Sequence, residues 1–468
     1  MPALDPDRLF PADPDTRRIA RSLHDGVADL PILSPHGHTD PAWFADDAAF
    51  PDPARLIVTP DHYIFRMLHS QGITLDRLGV PRADGSPVEC DPRVIWRLFA
   101  ENYHLFRATP SRMWVDHALA EVFGVEDDLS ADTADAIYDQ IADRLSTDAY
   151  RPRALFDRFG IEALATTDAA LDPLDHHAAI AASGWGGRVI PTYRPDAVID
   201  PDAPGFARGL RTLGEMTGED TATWDGYLAA HRARRAAFIA AGATATDHGH
   251  PDARTADLSA ADAASLFDRI VTGRAGPDDA GLFRAQMLTE MARMSLDDGL
   301  VMQIHPGAAR NHSAATLAAF GRDKGFDIPT RTDYVAALRP MLDAVGLEPG
   351  LTIIVFTLDE STYARELAPL AGVYPALRLG PAWWFFDSAE GMRRYREATT
   401  ETAGFYNTVG FNDDTRAFCS IPARHDVARR VDCAYLATLV ATGRLGAADA
   451  TEVARDLAYR LAKQAYRL

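Results

Sequence analysis

Short apolar runs rich in β-branched residues alternate along this chain with amphipathic stretches of helical period, and the alternation predicts βα units around a parallel sheet. Eight runs carry the pattern: LPILSPHGH (30–38), IEALATTD (161–168), GRVIPTYR (187–194), GATATDHG (242–249), LVMQIHPG (300–307), LTIIVFTL (351–358), VYPALRLGPAWWF (373–385) and YNTVGFNDD (406–414). Eight parallel strands close a barrel, so the expected fold class is α/β, a (β/α)8 TIM barrel. A doubly wound open sheet is the alternative, but the glycine-rich phosphate loop it would place after an early strand is missing. No organic cofactor is expected.

The rhythm breaks between the first and second runs. Residues 41–150 hold helical patterns such as IVTPDHYIFRMLHSQG and SADTADAIYDQIADRL, and no convincing strand. This stretch is expected as a helical insertion after strand 1, over the mouth of a single barrel domain spanning 1–468. A second helical insertion, at about 200–240, precedes the fourth run, and DATEVARDLAYRLAKQAYRL predicts an amphipathic closing helix.

Nearly every run ends in a residue able to do chemistry or wall a pocket: His36 and His38, Asp168, Arg194, Asp247, His305, Trp383, then Asp414 with Arg416 just beyond. A strand that only builds core has no reason to end this way so often. In an α/β barrel, the C-terminal strand ends carry the active site.

Composition narrows the chemistry. The 468 residues are 47% hydrophobic, enough for a large core, and the net charge of −20 comes from 67 acidic against 47 basic side chains. Such a surface repels nucleic acid and anionic membranes, so neither is an expected partner, and an anionic substrate would need arginines in a pocket. Cys90, Cys419 and Cys433 form neither a disulfide framework nor a CxxC site. With no apolar signal core or membrane-length segment, a cytoplasmic protein is expected, and a homo-oligomer is common at this size. Only two lysines occur, Lys324 in the polar turn GRDKGFD and Lys463 in the closing helix. Neither lies on a strand pattern, which argues against Schiff-base chemistry and a carbamylated lysine bridging two metals.

His36-Gly37-His38 places two imidazoles on one strand face, about 6.6–7 Å apart along the strand. That spacing suits two ligands on one borderline ion such as Zn2+. Barrel closure would bring Asp414 from the eighth run beside them, and two imidazoles with one carboxylate leave coordination positions open for catalysis. His305 is either a third imidazole ligand or an acid–base group touching substrate; the latter is preferred.

The chain resembles uronate isomerase (glucuronate isomerase), a family of amidohydrolase-like metal-dependent barrels. The resemblance rests on PHGH (35–38), DHYIFRML (61–68), TTD (166–168), TYRPD (192–196), TDHG (246–249), MQIHPGAARN (302–311), PAWWFFD (381–387) and NDDTRAF (412–418), in the family's order along nearly the whole chain. PHGH departs from a more acidic D-x-H-x-H first strand. The resemblance implies His36, His38 and Asp414 as metal ligands and His62 and Tyr63 as a pair reaching over the substrate. It implies Arg194 as a substrate partner, Asp247 and His305 along the sugar hydroxyls, Trp383 as pocket wall, and Asp414 with Arg416 as the strand-8 D-x-R.

The implied activity is aldose–ketose isomerisation of D-glucuronate to D-fructuronate and of D-galacturonate to D-tagaturonate. Such a reaction needs an acid–base shuttle between C1 and C2, drawn from Tyr63, His62, His305 and the Asp414–Arg416 pair, and stabilisation of the enediolate oxygens by a divalent ion. A cis-enediol route with Asp414 or a metal-bound group as base and Tyr63 as partner is expected, with a direct hydride shift competing. Arg194 and Arg310 suit the uronate carboxylate, because arginine is a bidentate, permanent cation. Two alternatives stand beside this: a mononuclear metal-dependent hydrolase on the same barrel, and a non-catalytic sugar-acid binder.

Overall fold

The computed structural model describes residues 4–468. Among the described residues eleven strands are formed: β1 (Ile32–Ser34), β2 (Ile161–Ala165), β3 (Asp168–Ala169), β4 (Val189–Ile190), β5 (Tyr193–Arg194), β6 (Ala245–His248), β7 (Val301–Ile304), β8 (Ala308–Ala309), β9 (Ile328–Pro329), β10 (Ile353–Val355) and β11 (Leu377–Leu379). Nine pair in parallel, in the orders β1-β2-β4 and β11-β10-β7-β6-β5-β3, while β8 and β9 form a small antiparallel ribbon. The second run supplies both β2 and β3, and the third supplies β4 and β5. Bonds from the Thr166 amide to the Ile190 carbonyl (2.9 Å) and from the Asp168 amide to the Thr192 carbonyl (3.0 Å) carry the pairing across the gap. Neighbours therefore follow chain order from the first run to the seventh, in a parallel α/β fold.

The eighth run corrects the expectation of a full strand. Among the described residues its only ladder contact is an isolated parallel bridge between Thr408 and Leu379. Gly410 and Asp414 adopt φ of 75° and 39°, outside the extended region, so the segment cannot hold a continuous strand. A Cβ at Gly410 would lie 2.8 Å from the Leu457 carbonyl, so glycine also allows this close passage. The last run still meets the first: the His38 amide donates to the Thr415 carbonyl at 3.0 Å, and the Asp414 amide to the His36 carbonyl at 3.2 Å. Hydrogen bonds, not a ladder, join them.

Strands β6 and β7 are buried along their whole length. That burial is what strands covered on both faces show. Met302, Ile304, Ile353, Val355 and Leu377 join helical Met287, Met291, Leu338 and Met341 in the main core.

Residues 41–150 contain helices and no strand. Several start on an aspartate or threonine cap followed by proline, as at Asp40-Pro41, Asp91-Pro92 and Thr109-Pro110, where a ready acceptor meets a pre-set φ. Their apolar faces, with Trp96, Phe99, Tyr103 and Phe106, share a core with Ile32, Ile161 and Val189 of the sheet. Two helices, Phe206–Thr217 and Trp224–Ala240, precede β6. The closing segment is helical from Ala447 to Ala465, with one wider turn at Asp456–Arg460.

Candidate active site

A cavity of about 670 Å³ opens at the C-terminal strand ends, and of the twelve residues singled out from the sequence all but Asp168 line it. His36 and His38 follow β1, and their Nε2 atoms lie 3.4 and 3.1 Å from Asp414 Oδ1. The three ligand atoms lie within 4.8 Å of one another. Burial resists ionisation of Asp414, but His36 and His38 hold its carboxyl well below the usual range. Burial lowers His38; for His36 burial is again the largest single effect, but the charge and hydrogen bond of Asp414, with the charge of Asp247, together outweigh it and raise it.

Several observations bear on whether these residues fit a divalent ion. Neutral imidazole and ionised carboxylate are the donors such an ion requires. His36 is 1% exposed, and its Nδ1 is buried without a hydrogen-bond partner among the described residues, as is His305 Nε2. Unmet buried polar atoms are costly unless a ligand or water meets them. A second set, His36, Asp247 and His305, also lies within 4.8 Å and shares His36. His305 Nδ1 sits 2.6 Å from Asp247 Oδ1, and its ring packs against both His36 and Phe356, at centroid separations of 4.6 and 3.9 Å. The residues fit a divalent ion held by His36, His38 and Asp414, with His305 beside it.

Arg194 ends the third run, as the last residue of β5. Its Nε donates to Asp196 Oδ2 at 2.8 Å, and Nη1 lies 3.2 Å from Asp247 Oδ2. Asp247, 1% exposed, stays ionised against burial because Arg194 and His305 flank it. Gly249 leaves room for this packing: a Cβ there would overlap Arg194 Nη2, lie 2.8 Å from Asp196 Oδ2, and press on Arg310 Nη2 at 3.0 Å. Arg310 is steadied by Asp327, at 3.3 Å. A third cluster, Asp196 with His248 and His250, also lies within 4.8 Å, but Asp196 already carries Arg194 and the Gly249 amide.

The helix His62–Ser70 presents His62 and Tyr63 on its first turn because Asp61 caps it, accepting from the Tyr63 amide at 2.8 Å. Burial, with Arg416 second, depresses His62 well below its usual range, and its ring meets Trp384 edge-on. The Tyr63 hydroxyl donates to Asp387 Oδ2 at 2.8 Å; burial and that carboxylate push its pKa well up. Trp383 meets the His305 ring edge-on at 4.7 Å. Arg416 donates to the Asp323 carbonyl and also faces a smaller adjoining cavity with His38, Arg55 and Lys324.

One strand-end residue points elsewhere. Side chains alternate along the second run, so Thr167 lines the cavity while Asp168 turns away, accepting from the Thr166 hydroxyl at 2.7 Å. Burial pushes the Asp168 carboxyl up to about 7, from an ordinary 3.8. Between about pH 4 and 7 the folded state thus holds a proton that the unfolded chain releases, so this group's contribution to stability falls as pH rises through that window. Asp168→Asn stays neutral throughout. Its stability relative to the parent is expected to climb from pH 4 to 7 and level above, read by urea unfolding across that range; parallel profiles would reject the assignment.

Sequence reasoning passed over Asp196, Asp387 and Arg424. Asp196 and Asp387 end the motifs TYRPD and PAWWFFD, so an acid closing each motif was the available signal. Arg424 carried none.

A parallel α/β fold with two imidazoles, a carboxylate and arginines converging at its strand ends defines a class: enzymes whose pocket can hold a divalent ion beside an anionic substrate. The family profile described as glucuronate isomerase matches residues 15–466, and the chain belongs to that family. Uronate isomerase from Rhizobium meliloti is 68% identical over 465 residues, covering 99% of each chain. The crystal structure of glucuronate isomerase from Caulobacter crescentus superposes with a TM-score of 0.97 at 60% identity, covering 98% of this chain and 96% of that one. That of uronate isomerase from Thermotoga maritima gives 0.91 at 26% identity, covering 99% of each.

Proposed function

We propose that this chain is an aldose–ketose isomerase that converts D-glucuronate to D-fructuronate and D-galacturonate to D-tagaturonate. The observation that carries the reading is one cavity holding both a His36–His38–Asp414 set and the arginines Arg194 and Arg310. Kinship with uronate isomerases over the full length favours isomerisation over hydrolysis on a similar barrel.

In this reading His36, His38 and Asp414 hold the ion, with Zn2+ the preferred occupant of a two-imidazole, one-carboxylate set. When bound, a divalent ion supplies a Lewis acid for oxygens that gain charge as the carbonyl migrates. Arg194 and Arg310 take the carboxylate, Asp247 and His305 orient hydroxyls, and Trp383 walls the ring. Asp414 removes the carbon-bound proton. Tyr63 faces a substrate oxygen with His62 and Arg416 nearby. Tyr63 presents lone pairs to the pocket, since its single proton is committed to Asp387. The proton moves by a cis-enediol route. Residues 41–150 act as a helical cover on a single barrel unit. Among the described residues no helix is long and apolar enough to cross a membrane; a cytoplasmic homo-oligomer is the proposed context.

The test is to supply glucuronate and follow ketose by coupled reduction, in H2O and D2O, with and without chelator. Ketose that falls on chelation, with deuterium at the carbon that gains hydrogen, is expected. Lack of ketose from either uronate would end the isomerase reading, and complete absence of deuterium would replace the enediol with a hydride shift.

A further inference from the structure

Behind Tyr63 lies a buried polar chain that joins three distant parts of the sequence. Tyr63 belongs to the first turn of the helix His62–Ser70, Asp387 to the loop after β11, and Arg424 to the helix Ile421–Ala441. Asp387 Oδ2 accepts both the Tyr63 hydroxyl and Arg424 Nη1, each at 2.8 Å. Arg424 Nη1 also donates to the Asp413 carbonyl at 3.2 Å, one residue before Asp414. Its guanidinium lies 3.5 Å over the Trp114 ring, whose edge contacts Tyr63. Arg424 is 2% exposed, so it is a fixed anchor.

Asp387 is unusual in one respect. Its Oδ1 is buried and has no hydrogen-bond partner among the described residues. An ionised carboxylate with one oxygen unmet in a low-dielectric site is costly, and accepting a proton relieves part of that cost. A phenol has one proton and two lone pairs. Because Tyr63 gives its proton to Asp387, only acceptor capacity faces the cavity. A substrate hydroxyl fits that side.

We infer that Asp387 is a positioning residue and proton reservoir for Tyr63, held by Arg424, which grips the Tyr63 arm and the Asp413–Asp414 strand end together. The inference rests on the reading of Tyr63 as a group that meets a substrate oxygen. As the substrate O–H bond breaks, its proton bonds to the Tyr63 oxygen while the phenolic proton passes to Asp387 Oδ2. When the neighbouring substrate oxygen is protonated, the transfers run in reverse, so the enzyme regains its starting state. No proton is gained or lost overall, and no redox change occurs.

The test uses the full-length enzyme with its metal and five variants: Asp387→Asn, Asp387→Glu, Tyr63→Phe and the two doubles Asp387→Asn/Tyr63→Phe and Asp387→Glu/Tyr63→Phe. Asparagine keeps the shape but cannot take the proton, so kcat is expected to fall roughly 10- to 100-fold with KM within about threefold. In the Tyr63→Phe background the same change should alter kcat by less than about twofold, since the relay is already gone. An equal loss in both backgrounds would make Asp387 merely structural, and an unchanged kcat in Asp387→Asn alone would also overturn the inference. If Asp387→Asn does not fold, Asp387→Glu, which keeps a charge on Arg424, takes its place: a smaller kcat loss is expected only where Tyr63 is present, and an equal loss in both backgrounds overturns the relay. Near-parental turnover by Tyr63→Phe would instead sink the underlying reading of Tyr63, a failure distinct from that of Asp387.

Discussion

Replacing Asp414 by asparagine is expected to lower kcat/KM for glucuronate by about 10³-fold, because the change removes the proposed ion ligand and the proposed base together. Asp414 Oδ1 is the point on which both imidazoles converge, at 3.4 and 3.1 Å. An amide cannot supply the negative charge that His36 and His38 face, and it cannot take a proton from carbon. The amide is nearly isosteric, and the Asp414 backbone amide would keep its bond to the His36 carbonyl. The fold should therefore survive while retained metal, measured after gel filtration, falls with turnover. A variant that kept its metal and lost less than about threefold in kcat/KM would remove Asp414 from the chemistry.

The Arg194→Met variant should weaken uronate turnover by about 2–3 kcal/mol, the scale of a lost charge-assisted interaction. That is roughly 30- to 150-fold in kcat/KM. In the proposed role Arg194 would do more than attract a carboxylate. It sits between Asp196 and Asp247, and without it Asp247 would present a negative charge to an anionic substrate with His305 as its remaining close partner. Most of the loss is expected in KM, and the corresponding neutral aldose should lose less. A change under about threefold for the uronate would exclude Arg194 from carboxylate binding.

Much of this site could be read before any coordinates. Side-chain alternation along a strand and the rule that barrel chemistry gathers at C-terminal strand ends together pick out His36, His38, Arg194, Asp247 and His305. All five line the cavity. The same alternation explains the misplacement of Asp168: a shift of one residue exchanges the two faces, so Thr167 looks inward instead. The eighth run reads as a strand by composition, yet left-handed backbone at Gly410 and Asp414 breaks it. A hydropathy pattern does not report φ.

By itself, then, the chain's pattern determined the parallel α/β layering, the helical character of 41–150 and the residue types that gather at the strand ends, because periodicity and caps are local properties. Only the tertiary structure decided which of those groups meet. Tyr63 and Asp387 are 324 residues apart and share a hydrogen bond, and Arg424 reaches Asp387 from a helix with no motif to mark it. Such contacts arise where separate elements converge on one buried volume, and partner choice there depends on distance and desolvation, which no local stretch of sequence encodes.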